Sequence, residues 1–201
     1  MLNRTERQEK LKDLGFYKGP INGKWDADTK AAVDKLQKKY FPKKYQDGGK
    51  YTEQHTDILL VNAWNVWKYA PHFSLTEFKC GCGGKHCTGY PDYLSVTLLK
   101  NLESVRTHFN KPVQITCGIR CKAYNQTLPG HAEHSLHLYG RACDIYVSGI
   151  CDTTSGRKSV MTYWKKLPSY NYTYCYIPGS LNKQMRTATY MGKAVHVDVS
   201  K

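Results

Sequence analysis

Ser135-Leu136-His137-Leu138-Tyr139-Gly140-Arg141-Ala142-Cys143-Asp144-Ile145-Tyr146-Val147 is the stretch from which the C-terminal part of the chain can be read. Gly140 permits a turn. After it, Ala142, Asp144 and Tyr146 share one face of a strand, while Cys143, Ile145 and Val147 share the other. Asp144 therefore points where His137 can meet it. Ala194-Val195-His196-Val197-Asp198-Val199 repeats the pattern near the C-terminus: three valines alternate with Ala194, His196 and Asp198. The valines can enter a core while His196 and Asp198 face one cavity. Burying either polar residue without a partner would cost several kcal/mol, roughly 2 to 7 for a neutral group, so such a strand specifies a site.

Two histidines and one carboxylate leave a fourth tetrahedral position for water, the common way of holding catalytic zinc. The H-x6-D spacing alone is weak. Joined to S-x-H, G-x-A-x-D and a distal H-x-D, it predicts a zinc site at His137, Asp144 and His196. A cysteine nucleophile is the rival chemistry, but Cys143 falls on the opposite strand face, and Cys117 and Cys121 flank Arg120 without an obvious His-Asn pair.

Working outward, Tyr93 to Phe109 reads as a helix with Leu94, Leu98, Leu99, Leu102 and Val105 on one side, and Pro112 to Thr116 alternates as a strand. All eight cysteines lie from Cys80 onward, which marks a boundary near residues 62–72. Before it, Arg7 to Leu14 reads as an amphipathic helix stopped by Gly15. Asp26 or Asp28 caps a second helix, Thr29 to Tyr40, with Ala32, Val33, Leu36 and Tyr40 as its stripe. A turn at Asp47-Gly48-Gly49 leads to Thr52, the cap of a third helix through Leu59 and Leu60. The expected organisation is a helical module over 1–61, a linker over 62–72 and a second domain over 73–201. Trp64, Trp67 and Tyr69 make that linker aromatic rather than flexible.

The order LKDLGFYKGPINGKWDADTKAAVDKLQKKY resembles the three-helix peptidoglycan-binding module attached to many wall hydrolases. FSLTEFKC at 73–80, CGIRCKAYN at 117–125, SLHLYGRACDI at 135–145 and VHVDV at 195–199 resemble the zinc peptidases of the D-Ala-D-Ala carboxypeptidase type, an architecture shared with the hedgehog signalling domain. The resemblance implies an α+β fold: a three-helix bundle followed by a central antiparallel sheet with flanking helices. It implies that His137, Asp144 and His196 bind Zn2+, that Arg120 holds substrate or the developing oxyanion, and that Ser135 lines the pocket. Many relatives place a carboxylate three residues before the last histidine, or a second histidine two before it. This chain has Lys193 and Ala194 there. Asp198 is then the first choice as general base, with Glu133 and Asp152 behind it; its alternative role is to orient His196.

The implied activity is hydrolysis of peptidoglycan stem peptides, as a D,D-carboxypeptidase or an endopeptidase; a non-catalytic wall-binding protein with a hedgehog-like zinc site is the alternative. A glycosidase with paired carboxylates is disfavoured, because only seven acidic residues follow His72. The charge of +14, from 30 Lys and Arg against 16 Asp and Glu, suits anionic wall polymers. It is spread over both parts and no nucleic-acid motif accompanies it, so peptidoglycan and not nucleic acid is the expected partner of a monomer. No run reaches the ~18 to 20 apolar residues of a membrane span, and the N-terminus lacks the apolar core of a signal peptide. Those features suit an endolysin, made in the cytoplasm and released to the wall through a holin-type partner. Cys80, Cys82, His86 and Cys87 could hold a structural zinc or enter disulfides.

Overall fold

The structure is a computed structural model that describes residues 1–45 and 53–201. The expected turn at Asp47-Gly48-Gly49 and the cap at Thr52 lie outside the described residues. Helix α1 (Arg4–Asp13) starts one turn earlier than its apolar pattern suggests, because Asn3 and Glu6 form a capping box. Helix α2 (Ala27–Tyr40) is capped by Asp26, whose carboxylate accepts from the Thr29 amide at 2.9 Å and hydroxyl at 2.7 Å. Gln8 of α1 is fully buried and joins the two helices. Its amide donates to Thr29 Oγ1 and to the Lys24 carbonyl, while its oxygen accepts from the amides of Asn22 and Gly23. One satisfied polar side chain thus pins the Pro20–Lys24 loop.

Helix α3 spans Glu53–Tyr69, so the first eight residues of the expected linker are its second half. Its inward positions, Leu59, Asn62, Ala63 and Val66, recur at helical spacing and are buried. Asn62 breaks the apolar stripe that would have revealed this. It donates to the Asp92 carbonyl and accepts from the Leu94 amide, 2.9 and 2.7 Å, and so anchors the entry to the next helix. On the other side, Arg7 of α1 grips the buried Asp57 through two bonds of 2.8 and 3.0 Å. One hydrophobic cluster therefore runs from Leu11 through α3 to Val199.

A 3-10 turn (Leu75–Phe78) leads through a cysteine-rich loop to α4 (Val96–Phe109) and β1 (Val113–Cys117). Then come α5 (Lys122–Gln126), a 3-10 turn (Leu136–Tyr139), β2 (Ala142–Val147), α6 (Thr154–Trp164), β3 (Tyr170–Cys175), α7 (Lys183–Thr187) and β4 (Val195–Val199). The strands form an antiparallel sheet in the order β1-β2-β4-β3, so the described residues make an α+β fold of seven α-helices and four strands. Leu98, Leu102, Val105, Val160 and Trp164 from α4 and α6 share a core with Cys143, Ile145 and Val147 of β2 and the three valines of β4. Each fully buried valine contributes on the order of 1.5 to 3 kcal/mol. A one-residue slip of β4 would exchange all three for His196 and Asp198, so its register is strongly specified.

Candidate functional site

In the β2–β4 ladder Asp144 lies directly opposite His196, and Ala142 opposite Asp198. The alternation of each strand, combined with this register, brings three polar side chains to the face away from the helices. His137 arrives from the 3-10 turn before β2. That turn closes at Gly140, whose φ of +59° is left-handed and where a Cβ would lie 2.0 Å from the Tyr93 carbonyl oxygen. Only glycine fits there. Gly118 is constrained by proximity instead: a Cβ would meet the Phe78 backbone at 2.5 Å. The freed space lets the Gly118 carbonyl reach His137.

His137 Nδ1 is 2.8 Å from the Gly118 carbonyl oxygen, which can only accept, so the ring proton sits on Nδ1 and Nε2 presents a lone pair. His196 stands between two carboxylates, with Nε2 3.2 Å from Asp198 Oδ2 and Nδ1 2.9 Å from Asp144 Oδ1, so a proton held on Nε2 by Asp198 leaves Nδ1 as the ligating nitrogen. The two free nitrogens are 3.3 Å apart, and Asp144 Oδ1 is 3.5 Å from His137 Nε2 and 2.9 Å from His196 Nδ1. Three acceptors converge on one point. A tetrahedral ion with ligands at about 2.0 to 2.1 Å would space them about 3.3 Å apart, so the donor set fits zinc in both chemistry and separation.

Electrostatics agree with that geometry. Burial favours the neutral form of His137 and lowers its pKa, with the Asp144 carboxylate only partly opposing it. Burial also works against the charge on Asp144, but the two histidines beside it outweigh this and hold the carboxyl well below its ordinary range. At His196 burial disfavours the imidazolium, yet Asp144 and Asp198 together overcome this and raise the pKa. The centre of the cluster attracts positive charge.

Arg120 Nη2 donates to Asp144 Oδ2 at 3.1 Å and its Nε to Cys117 Sγ at 3.1 Å, which leaves Oδ1 to the histidines. Its backbone amide donates to the His137 carbonyl at 3.0 Å, tying the G-I-R segment to the histidine turn. All these groups line a cavity of about 850 Å³, as does Ser135. Asp198 lines the cavity with its oxygens already engaged. Beyond His196, its Oδ1 accepts from Asn171 Nδ2 at 3.1 Å and from the Tyr172 amide, so both oxygens serve neighbouring donors. Glu133 and Asp152 lie outside the cavity lining, and Asp152 is engaged on the surface by Lys193 and Tyr146 at 2.7 and 2.9 Å. Among the described residues, the lining carboxylates are Asp144 and Asp198 alone.

Sequence reasoning missed two contributors. Tyr174 stands beside His196 across the β3–β4 ladder, ring centroids 4.9 Å apart, with its hydroxyl 3.4 Å from that of Tyr190. Burial, reinforced by Tyr190, pushes its pKa up, so it stays a donor. The signal was the alternation of Tyr172, Tyr174 and Tyr176 with Asn171, Thr173 and Cys175. The other is His134, which lines the cavity, as His131 does.

Residues 2–48 match the family model of a peptidoglycan binding domain, and residues 71–169 match that of Peptidase M15. The second match stops before β3 and β4, so His196 and Asp198 join the cluster through the sheet register and not through the matched stretch. No curated protein matches the chain. The chain thus joins a stretch that matches a peptidoglycan-binding domain, at its N-terminus, to one that matches Peptidase M15 and supplies His137 and Asp144 of the cluster.

Proposed function

We propose that this cell-wall peptidase is a zinc enzyme that hydrolyses stem peptides of peptidoglycan, as a D,D-carboxypeptidase or endopeptidase in an endolysin-like lytic role. The observation that carries the reading is the convergence of His137 Nε2, His196 Nδ1 and Asp144 Oδ1, each with its remaining polar atom held by another partner. Bound there, zinc would supply a Lewis acid that polarises the scissile carbonyl and makes water nucleophilic near neutral pH. Arg120 and the protonated Tyr174 are donors on the cavity wall, suited to an oxyanion or to a substrate carboxylate. The positioning role falls to Asp198, which keeps the proton on His196 Nε2 and the lone pair on Nδ1.

With Asp198, Glu133 and Asp152 all engaged or outside the lining, the base must be another cavity residue. We assign it to His134, an imidazole on the cavity wall. The binding module is proposed to end within α3, where both family matches are interrupted and the shared core passes from one part to the other. It would hold the enzyme on peptidoglycan, with the basic surface adding attraction to anionic wall polymers.

The lack, among the described residues, of an uncommitted carboxylate in the cavity favours one second reading, a wall-binding protein that does not hydrolyse. Mass spectrometry of digested peptidoglycan separates the two. New amino groups with shortened peptides are expected; unchanged peptides would establish binding alone. His134→Ala should lower turnover on the order of 10²-fold to 10⁴-fold with zinc content unchanged, and turnover within a few-fold of the parent would remove His134 as the base.

A further inference from the structure

The second cluster of soft ligands lies away from the cavity. Cys80, Cys82 and Cys87 come from the loop after the Leu75–Phe78 turn, and Cys121 from the N-cap of α5, more than thirty positions later. Their four sulfurs all lie within 4.8 Å of one another. Tetrahedral zinc with Zn–S bonds of about 2.3 Å separates its sulfurs by about 3.8 Å, so little movement is needed. The short loop alone could not surround an ion; Cys121 closes the fourth side, in place of the His86 that its sequence neighbourhood suggests.

The cluster is also not a piece of core. Cys143, Cys151 and Cys175 pack as small apolar groups in the main hydrophobic cluster, whereas Cys80, Cys82 and Cys121 form a separate one, joined only by Cys87 and Tyr124. Hydrophobic burial does not explain four thiols gathered around one another. The backbone is shaped to stabilise thiolate: the Cys121 amide donates to Cys80 Sγ at 3.3 Å, Gly89 to Cys87 at 3.4 Å and Tyr124 to Cys121 at 3.4 Å. Tyr124 also packs closely on the loop, since a Cβ on Gly81 would lie 2.6 Å from its hydroxyl.

We propose that Cys80, Cys82, Cys87 and Cys121 bind a second, structural zinc ion that clamps the 79–90 loop to the start of α5. The four thiols lose their protons to solvent as the ion binds. The clamp adjoins the Gly118–Arg120 segment, which braces His137 and Asp144, so it holds the frame of the site without entering the cavity. This site is independent of the catalytic reading, and one variant separates them. His137→Ala, made as the full chain and purified without chelator, should retain one zinc per chain against two in the parent. Loaded with cobalt, it should show the sulfur-to-cobalt charge-transfer absorption of thiolate ligation. Adding Cys82→Ser to that variant should remove both signals. A His137→Ala chain without metal, or with cobalt but no charge-transfer band, would overturn the proposal. So would a non-reduced mass short of the hydrogens of two disulfides. The difference between parent and His137→Ala reports separately on the histidine site, so failure of one does not pass for failure of the other.

Discussion

The two ligand clusters are built on opposite principles. His137, Asp144 and His196 are placed by a sheet: cross-strand register sets Asp144 against His196, three valines lock β4, and a carbonyl and a carboxylate hold the outer nitrogens of the two rings. The four cysteines are placed by loops, linked mainly by turns and by weak N–H···S bonds. A site on a sheet keeps its shape whether or not it is loaded, because packing of the opposite face supports it. A site on loops needs its ion to hold the loops together, so metal binding there is part of folding.

The contrast can be broken most directly by His137→Ala. Turnover should fall by more than about 10³-fold, since a metal ligand supports the whole of transition-state stabilisation at that centre. The melting temperature should move by only a few degrees, because the valine-locked sheet remains. Global unfolding of this variant would show that the sheet site is no better supported than the loop site. Cys121→Ser is expected to do the reverse. Loss of a structural metal ranks with the exceptional destabilisations, about 4 kcal/mol or more, which for a chain of this size lowers the melting temperature by roughly 8 to 16 °C. Proteolysis should then open the 79–90 loop, while peptide hydrolysis at low temperature falls less than in His137→Ala. An unchanged melting temperature would mean that the loops hold themselves.

The same difference decides what was legible in the sequence. Alternation is a local signal, so β2 and β4 could be read at residue resolution, and with them the face shared by Asp144, His196 and Asp198. The capped helices α1, α2 and α4 were legible for the same reason. Cys121 was not visible as the fourth sulfur, because nothing local says which distant loop closes a cluster; the adjacent His86 drew the eye instead. The aromatic stretch after Leu60 reads as a linker because Asn62 interrupts the stripe of α3. That interruption is itself structural packing, with both amide atoms bonded to the backbone that enters α4. The role of Asp198 could not be read from its face alone: alternation places the carboxylate near the metal ligands, but only the bonds from Asn171, Tyr172 and His196 show which way its oxygens are committed.

The smallest expected effect is the most discriminating for the sheet site. In Asp198→Asn one of two arrangements must be chosen. If the amide oxygen faces His196 Nε2, the amide NH2 meets two donors, Asn171 Nδ2 and the Tyr172 N–H. If the amide is flipped, its NH2 faces His196, which must then move its proton to Nδ1, the nitrogen turned toward Asp144 and His137. Either way the lone pair on Nδ1 is less well held. Loss of such an orienting partner weakens metal affinity by roughly 10-fold to 100-fold. Turnover should therefore drop at limiting zinc and return to within a few-fold of the parent when zinc is saturating. A general base behaves differently, because an asparagine cannot take a proton at any zinc concentration, and the loss of about 10²-fold to 10⁴-fold would persist. Titrating zinc against the variant while following both occupancy and peptide release gives two curves. Parallel recovery assigns Asp198 to the positioning of His196; full occupancy without recovery would return it to the reacting centre and displace His134.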